Sequence, residues 1–199
     1  EVLINLSKTF SSLPWKKLIL YFLAYSFKIS FSLLSPVLKT IEIPTGTECF
    51  DWKIPREWNI EDAYLIDKDG KKILRFKDNN LHVLNYSTPI DVEIDLEDLK
   101  KHLHTLPKQP NAIPYLTSYY QERWGFCLSY EKYLKLKPGK YRAVIKSILN
   151  EGSMTLGDIF YKGHSEKEIL FSTYICHPSL ANNEISGPVV NTYLAKHIE

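Results

Sequence analysis

The stretch Ile169-Leu-Phe-Ser-Thr-Tyr-Ile-Cys-His-Pro-Ser-Leu-Ala-Asn-Asn-Glu-Ile-Ser-Gly-Pro-Val-Val190 constrains the fold more than any other part of the chain. Its nearly continuous apolar run up to Cys176 reads as a central strand buried on both faces, since a strand with one wet face would alternate. His177-Pro178 ends the run, a polar loop follows, and a helix is predicted from near Ser186. Pro188 would then occupy the first helical turn, where its missing N–H costs nothing. Strand, polar loop and helix in that order predict an α/β fold, in which ligands bind where strand carboxyl ends meet helix N-termini. One imidazole, two amides and a carboxylate fall between His177 and Glu184. That set is half of a metal or carbonyl-binding site on one reading and a hydrogen-bonded structural loop on the other. Cys176 and His177 do not read as a nucleophile and its base, because adjacent strand side chains point to opposite faces.

Composition narrows the function class. Across 199 residues, 44% are hydrophobic and 24% charged, which is ordinary globular usage and excludes wholesale disorder. Lys plus Arg number 25 against 23 acidic residues, a net charge of +2 that supplies no broad cationic surface for nucleic acid. Cys49, Cys127 and Cys176 form no C-x-x-C pair, so neither a disulfide scaffold nor a structural zinc finger is indicated, and a reducing, cytoplasmic setting is the natural reading. No serine-hydrolase elbow, dinucleotide fingerprint or P-loop occurs. The chain opens without methionine and closes inside a helical pattern, Pro188 to Ile198, which predicts a piece of a longer protein.

The segment Leu18 to Leu38 is apolar enough to span a bilayer as a helix. Lys28 near its midpoint would cost about 2.5–3.5 kcal/mol there. Four serines crowd around that lysine. A buried or partner-covered helix is therefore preferred, with membrane contact through 18–38 and a signal-like segment as the other readings. From Lys39 the texture turns to short β-like runs, with Asp69-Gly70 marking a hairpin. A helix is expected over Leu96 to His104, acidic at its start and basic at its end. His102 and His104 would then be solvated, and His82, His164 and His197 have no partner suggested by spacing. Lys140 to Leu149 and Ser153 to Tyr161 both alternate around Asn150-Glu-Gly152, which predicts a hairpin between them.

The wording Thr173-Tyr-Ile-Cys-His-Pro-Ser-Leu-Ala-Asn-Asn-Glu-Ile-Ser-Gly-Pro188 resembles the first metal-binding segment of co-catalytic zinc aminopeptidases. It is closer still to bacterial aminopeptidase-like proteins associated with polysaccharide biosynthesis. Two further blocks are similar to that family and to the domain of unknown function inserted in it. They are Thr45-Gly-Thr-Glu-Cys-Phe-Asp-Trp-Lys-Ile-Pro-Arg-Glu-Trp-Asn-Ile60 and Pro114-Tyr-Leu-Thr-Ser-Tyr-Tyr-Gln-Glu-Arg-Trp-Gly-Phe-Cys-Leu-Ser129. The resemblance implies an α/β aminopeptidase-like (phosphorylase/hydrolase-like) domain interrupted by a mainly β insert. Residues 1–44 would be its N-terminal helical part, 45–135 the insert, and 136–199 the resumed domain, truncated at its C-terminal end.

Carried over position by position, the resemblance implies His177 as a zinc-ligating histidine and places Asn183 where the peptidases have a bridging aspartate. Ser179 stands where they have a supporting one. A neutral amide offsets less of the charge of two zinc ions than a carboxylate does, so one or two ions are implied, with Glu184 as the alternative carboxylate. The general base and remaining ligands are expected beyond Glu199, leaving the chain by itself without a complete catalytic set and with uncovered apolar surface. The implied function is a zinc-dependent aminopeptidase-like hydrolase acting on a peptide or amide. The other reading is a non-catalytic module that binds a glycan or proteins of glycan biosynthesis. Trp and Tyr near Asp51, Arg56 and Arg123 either pack a small core or stack on a ligand, and Asp51 and Arg123 are the substrate-binding candidates.

Overall fold

A computed structural model describes residues 17–23, 38–175 and 180–198. The chain divides into two compact units, one formed by Glu1–Ile54 and Ser153–Glu199 and the other by Pro55–Gly152.

The first unit contains β1 (Lys17–Leu23), β2 (Lys39–Pro44) and the two-residue strands β3 (Glu48–Cys49) and β4 (Trp52–Lys53). The second holds β5 (Glu57–Ile66), β6 (Lys72–Arg75), β7 (Ile90–Asp95), the one-turn helix α1 (Leu96–Leu99), β8 (Leu103–His104), β9 (Phe126–Cys127), the short helix α2 (Tyr130–Leu134) and β10 (Lys140–Asn150). The chain then returns to the first unit as β11 (Ser153–Lys162), β12 (Glu168–Ser172) and the long helix α3 (Ala181–Ile198).

In Pro55–Gly152 the main sheet is antiparallel, ordered β6-β5-β10-β7. The β5–β6 hairpin forms as its turn residues predict. Asp67 Oδ1 accepts the amides of Asp69 and Lys71 at 3.0 and 2.9 Å, and Gly70 takes φ +80° without a Cβ to strain. β10 alternates, placing Tyr141, Ala143 and Ile145 inward, where they meet Leu65, Leu74, Leu99, Phe126 and Leu128 in one continuous core. The helix expected over Leu96 to His104 is shorter. α1 gives way to a 3₁₀ turn at Lys100–His102, and Leu103–His104 is extended, pairing in parallel with Phe126–Cys127.

The first unit's described sheet is mixed, ordered β12-β1-β11-β2, with β1 parallel to β12 and antiparallel to β11. Three expectations are corrected here. Lys17–Leu23 is a strand and not the start of a helix, because an apolar run without clear periodicity serves a strand as readily as a helix, and here neighbours on both sides supply a backbone ladder. Residues 24–37, the remainder of that segment, lie outside the described residues. No described helix is long and apolar enough to cross a membrane. The strand read as central, β12, has β1 as its one partner among the described residues. Its side chains alternate between exposed and half-buried, with Leu170 exposed.

The third correction concerns the hairpin expected around Asn150-Glu-Gly152. β10 pairs with β5 and β7 whereas β11 pairs with β1 and β2, so the two strands lie in different sheets. Gly152 answers to a close approach: a Cβ there would come within 2.3 Å of Glu57 Cδ. The division between units therefore falls after Gly152, where the sequence had suggested a border near 135, and β10 belongs with Pro55–Gly152.

α3 begins at Ala181, before the expected start near Ser186. Its opening bond runs from the Glu184 amide to Leu180 O at 3.0 Å. Pro188 consequently sits inside the helix, where it supplies no N–H to the ladder. Thr192 Oγ1 donates back to Pro188 O at 2.8 Å. Glu184, Pro188, Asn191 and Ala195 recur at helical spacing and are the buried face. Toward the C-terminus, Ala195 and Ile198 pack with Ile159, Tyr161, Ile169 and Phe171 of the sheet.

Candidate functional site

The segment that joins β12 to α3 carries the metal candidates. His177 lies outside the described residues, as do Cys176, Pro178 and Ser179. On either side of it the geometry is defined. α3 crosses close over the residue that follows β12, since a Cβ on Gly187 would fall 2.0 Å from Thr173 Oγ1 and 3.1 Å from Thr173 Cβ. Only glycine allows that approach without displacing a neighbour. Asn183 is exposed and donates from Nδ2 to the Tyr174 hydroxyl at 3.2 Å. Glu184 is buried, 7% exposed. Successive helical residues point about 100° apart, so Asn183 and Glu184 leave α3 in different directions, one exposed and the other buried. No group of three His, Cys, Asp or Glu side chains is assembled among the described residues.

The two substrate-binding candidates belong to different units. Asp51 is exposed in the tight turn between β3 and β4, beside Phe50, which is fully exposed at φ +55°. Arg123 is exposed in Pro55–Gly152 and donates to Thr117 O at 3.4 Å.

A second constellation lies in the same unit as Arg123 and was only partly legible in sequence. Trp58 Nε1 donates to Ser87 O at 2.9 Å, and its ring stacks on Tyr86 at 5.8 Å between centroids. Tyr86 meets Tyr119 edge to face at 4.5 Å, and Tyr119 meets Tyr120 at 6.4 Å. Tyr86 holds φ +64°, a left-handed conformation that costs a bulky residue about 1–3 kcal/mol. Its neighbours compensate. The Asn85 amide donates to Leu116 O at 3.0 Å and Asn85 Nδ2 to the Tyr115 hydroxyl at 2.8 Å. Fully buried Ser87 donates from Oγ to Leu84 O at 2.6 Å and accepts the Gly125 amide at 3.2 Å. Ser147 Oγ donates to Ser87 O at 2.7 Å. Nothing in the spacing of these residues announces the left-handed turn, which exists only because both flanks are clamped.

The histidines of this unit differ from expectation too. His102 is half-buried and stacks on Trp124 at 3.7 Å with the rings nearly parallel, its Nδ1 3.2 Å from Trp124 O. His104 is half-buried in β8. Burial pushes its pKa down, with the Arg123 guanidinium adding to the effect. His82 is buried with Nδ1 2.8 Å from Cys127 O, and burial again lowers its pKa, against a smaller opposing pull from that carbonyl. Burial pushes the Cys127 thiol up to about 12, which leaves it protonated and inert as a nucleophile near neutral pH.

Known proteins bear on both regions. Residues 57–148 match a domain of unknown function, DUF2172. The chain is 47% identical over 159 residues to a Clostridium acetobutylicum protein provisionally named as a polysaccharide biosynthesis protein with an aminopeptidase-like domain. A crystal structure from the same organism, provisionally described as a peptidase, matches with a TM-score of 0.74 at 46% identity over 83% of this chain. The chain spans 37% of the first relative and 39% of the second. Its mixed sheet and helix therefore have a peptidase-like structural neighbour, over a minority of that neighbour's length.

Proposed function

We propose that the protein to which these 199 residues belong is a peptidase-like hydrolase, directing water at a peptide or amide carbonyl, and that β12 and α3 form one wall of its site. The observation that carries this reading is the identity of 46–47% to relatives described as a peptidase and as aminopeptidase-like, maintained over four-fifths of the chain. The tight crossing of Gly187 over Thr173 supports it, because it fixes the start of α3 against the end of the sheet. On the same reading Pro55–Gly152 is a domain inserted into the aminopeptidase-like fold, and the protein is cytoplasmic, in keeping with the free thiols of Cys49 and Cys127.

Zinc enters through His177. The described donors, Asn183 and Glu184, do not suffice to hold it, so the other ligands are assigned to the part of the relatives that this chain does not span. The test uses the parent protein, a leucine amide substrate and elemental analysis of bound metal. Hydrolysis is expected, with metal content that falls in His177→Ala and rises in Asn183→Asp as a bridging carboxylate is restored. Absence of hydrolysis would remove the enzymatic reading. Metal content indifferent to both substitutions would remove zinc from this segment.

A further inference from the structure

We propose that the edge of Pro55–Gly152 formed by Tyr86, Tyr119, Tyr120 and the polar residues after them is a saccharide-binding site, taking pyranose rings of an oligosaccharide. This goes beyond the hydrolase reading, and of the substrate-binding candidates above it draws on Arg123 alone.

The four aromatic rings run as a ladder from a fixed end to a free one. Trp58 is tethered by its indole N–H to Ser87 O, and Tyr86 stacks on it. Tyr119 stands edge to face against Tyr86, and Tyr120 against Tyr119, with Tyr120 79% exposed. An exposed tyrosine is ordinarily mobile, and ordering it on binding carries an entropic cost. Here the support beneath it is already ordered, since strained Tyr86 is held by the hydrogen bonds of Asn85 and Ser87 on either side. Strain maintained at such a point is characteristic of ligand sites.

The rim indicates the class of ligand. Arg56 and Glu122 form a charge-paired hydrogen bond that ties this loop to the start of β5. Tyr120, Gln121, Glu122 and Arg123 are four consecutive exposed residues. They offer an aromatic face, an amide, a carboxylate and a guanidinium within one exposed loop. A pyranose ring presents one face of C–H bonds that packs on an aromatic ring, bordered by hydroxyls that each donate and accept. Amide, carboxylate and guanidinium groups answer those hydroxyls in both senses. A peptide added by backbone pairing would need a free strand edge, whereas this rim is a loop joined to the neighbouring loop at Asn85 by the isolated bridge of Asn85 with Thr117. A nucleic-acid strand would call for more cationic charge than a rim whose Arg56 is already paired with Glu122.

The experiment is calorimetric titration of the whole 199-residue chain with chitohexaose, with hexagalacturonate and with a hexapeptide of mixed sequence. Binding of at least one saccharide is expected, neutral and acidic probes distinguishing whether Arg123 recognises hydroxyls or a carboxylate. Tyr120→Ala should weaken it roughly tenfold, the scale of losing one stacked ring, and Tyr120→Phe should retain it. Since Tyr120 is exposed, neither substitution threatens the fold. The proposal is overturned if neither saccharide binds at roughly 10 mM, if Tyr120→Ala binds as well as the parent, or if the peptide binds with the same dependence on Tyr120.

Discussion

Pro55–Gly152 and the described part of the other unit hold themselves together by different means. In Pro55–Gly152 a single cluster of twelve buried side chains, from Ala63 to Ile145, lines the sheet and the loops above it, and its aromatic and histidine side chains are fixed by hydrogen bonds. Among the described residues of the other unit the corresponding cluster contains Ile159 and Ala195, with five partly buried neighbours. Phe160, Leu170, Ile185, Val189, Val190 and Tyr193 are exposed there. Its described sheet is nevertheless well laddered, with β1 paired along its whole length to β11. Among the described residues, that sheet is defined chiefly by its backbone pairing, and Pro55–Gly152 by side-chain burial as well. The difference matters because a net hydrogen bond contributes about 0.5–1.5 kcal/mol whereas a buried large side chain contributes about 1.5–3 kcal/mol.

The most demanding test of this contrast is Phe126→Ala. Phe126 is 1% exposed in the centre of the larger core, so the substitution should cost about 3–5 kcal/mol in urea unfolding. Leu170→Ala on β12, half of whose surface is exposed, should change stability by no more than about 0.5 kcal/mol. Equal losses at the two positions would break the comparison.

Gly187→Ala probes a place where the described part of the other unit is tightly packed. The new Cβ collides with Thr173 Oγ1. A loss of about 1–3 kcal/mol is expected, partly recovered when Thr173→Ala is added. Failure of the second change to recover any stability would assign the cost to the helix and not to the crossing.

The smallest effect is the pH dependence of Pro55–Gly152. His82 and His104 both have pKa values lowered in the folded state, chiefly by burial; Lys132 lowers that of His82 further and Asp78 opposes. The unfolded chain, with histidine pKa near about 6.5, therefore binds protons that the folded chain refuses. Stability is full above about pH 6.5 and declines as pH falls through it toward the folded values, by at most about 1.4 kcal/mol per pH unit for each histidine. Thermal melts between about pH 7.5 and 5.5 should reveal this slope, and His82→Gln should flatten it. An unchanged slope in that variant would assign the titration to other groups.

The candidate site was legible in kind more than in arrangement. The order of apolar strand, His177 and helix could be read directly, and the glycine at 187 proved to serve a close approach. That Asn183 faces outward while Glu184 is buried could not be read, because it depends on where α3 begins, and Pro188 had suggested a later start. The aromatic residues were visible as a composition, but their ladder depends on the φ of Tyr86, which only its hydrogen-bonded surroundings sustain.

What the sequence determined alone was local: the Asp67–Gly70 turn and the alternation of β10. Those choices are governed by neighbours a few residues away, so the information sits within the segment. Tertiary structure decided that β10 and β11, joined by two residues, enter different sheets, and that Lys17–Leu23 is a strand between β11 and β12. The physical reason is that a strand's apolar pattern states which faces are to be buried but leaves its ladder N–H and C=O groups open to any compatible edge, and which edge satisfies them is settled by distant segments that the pattern does not encode.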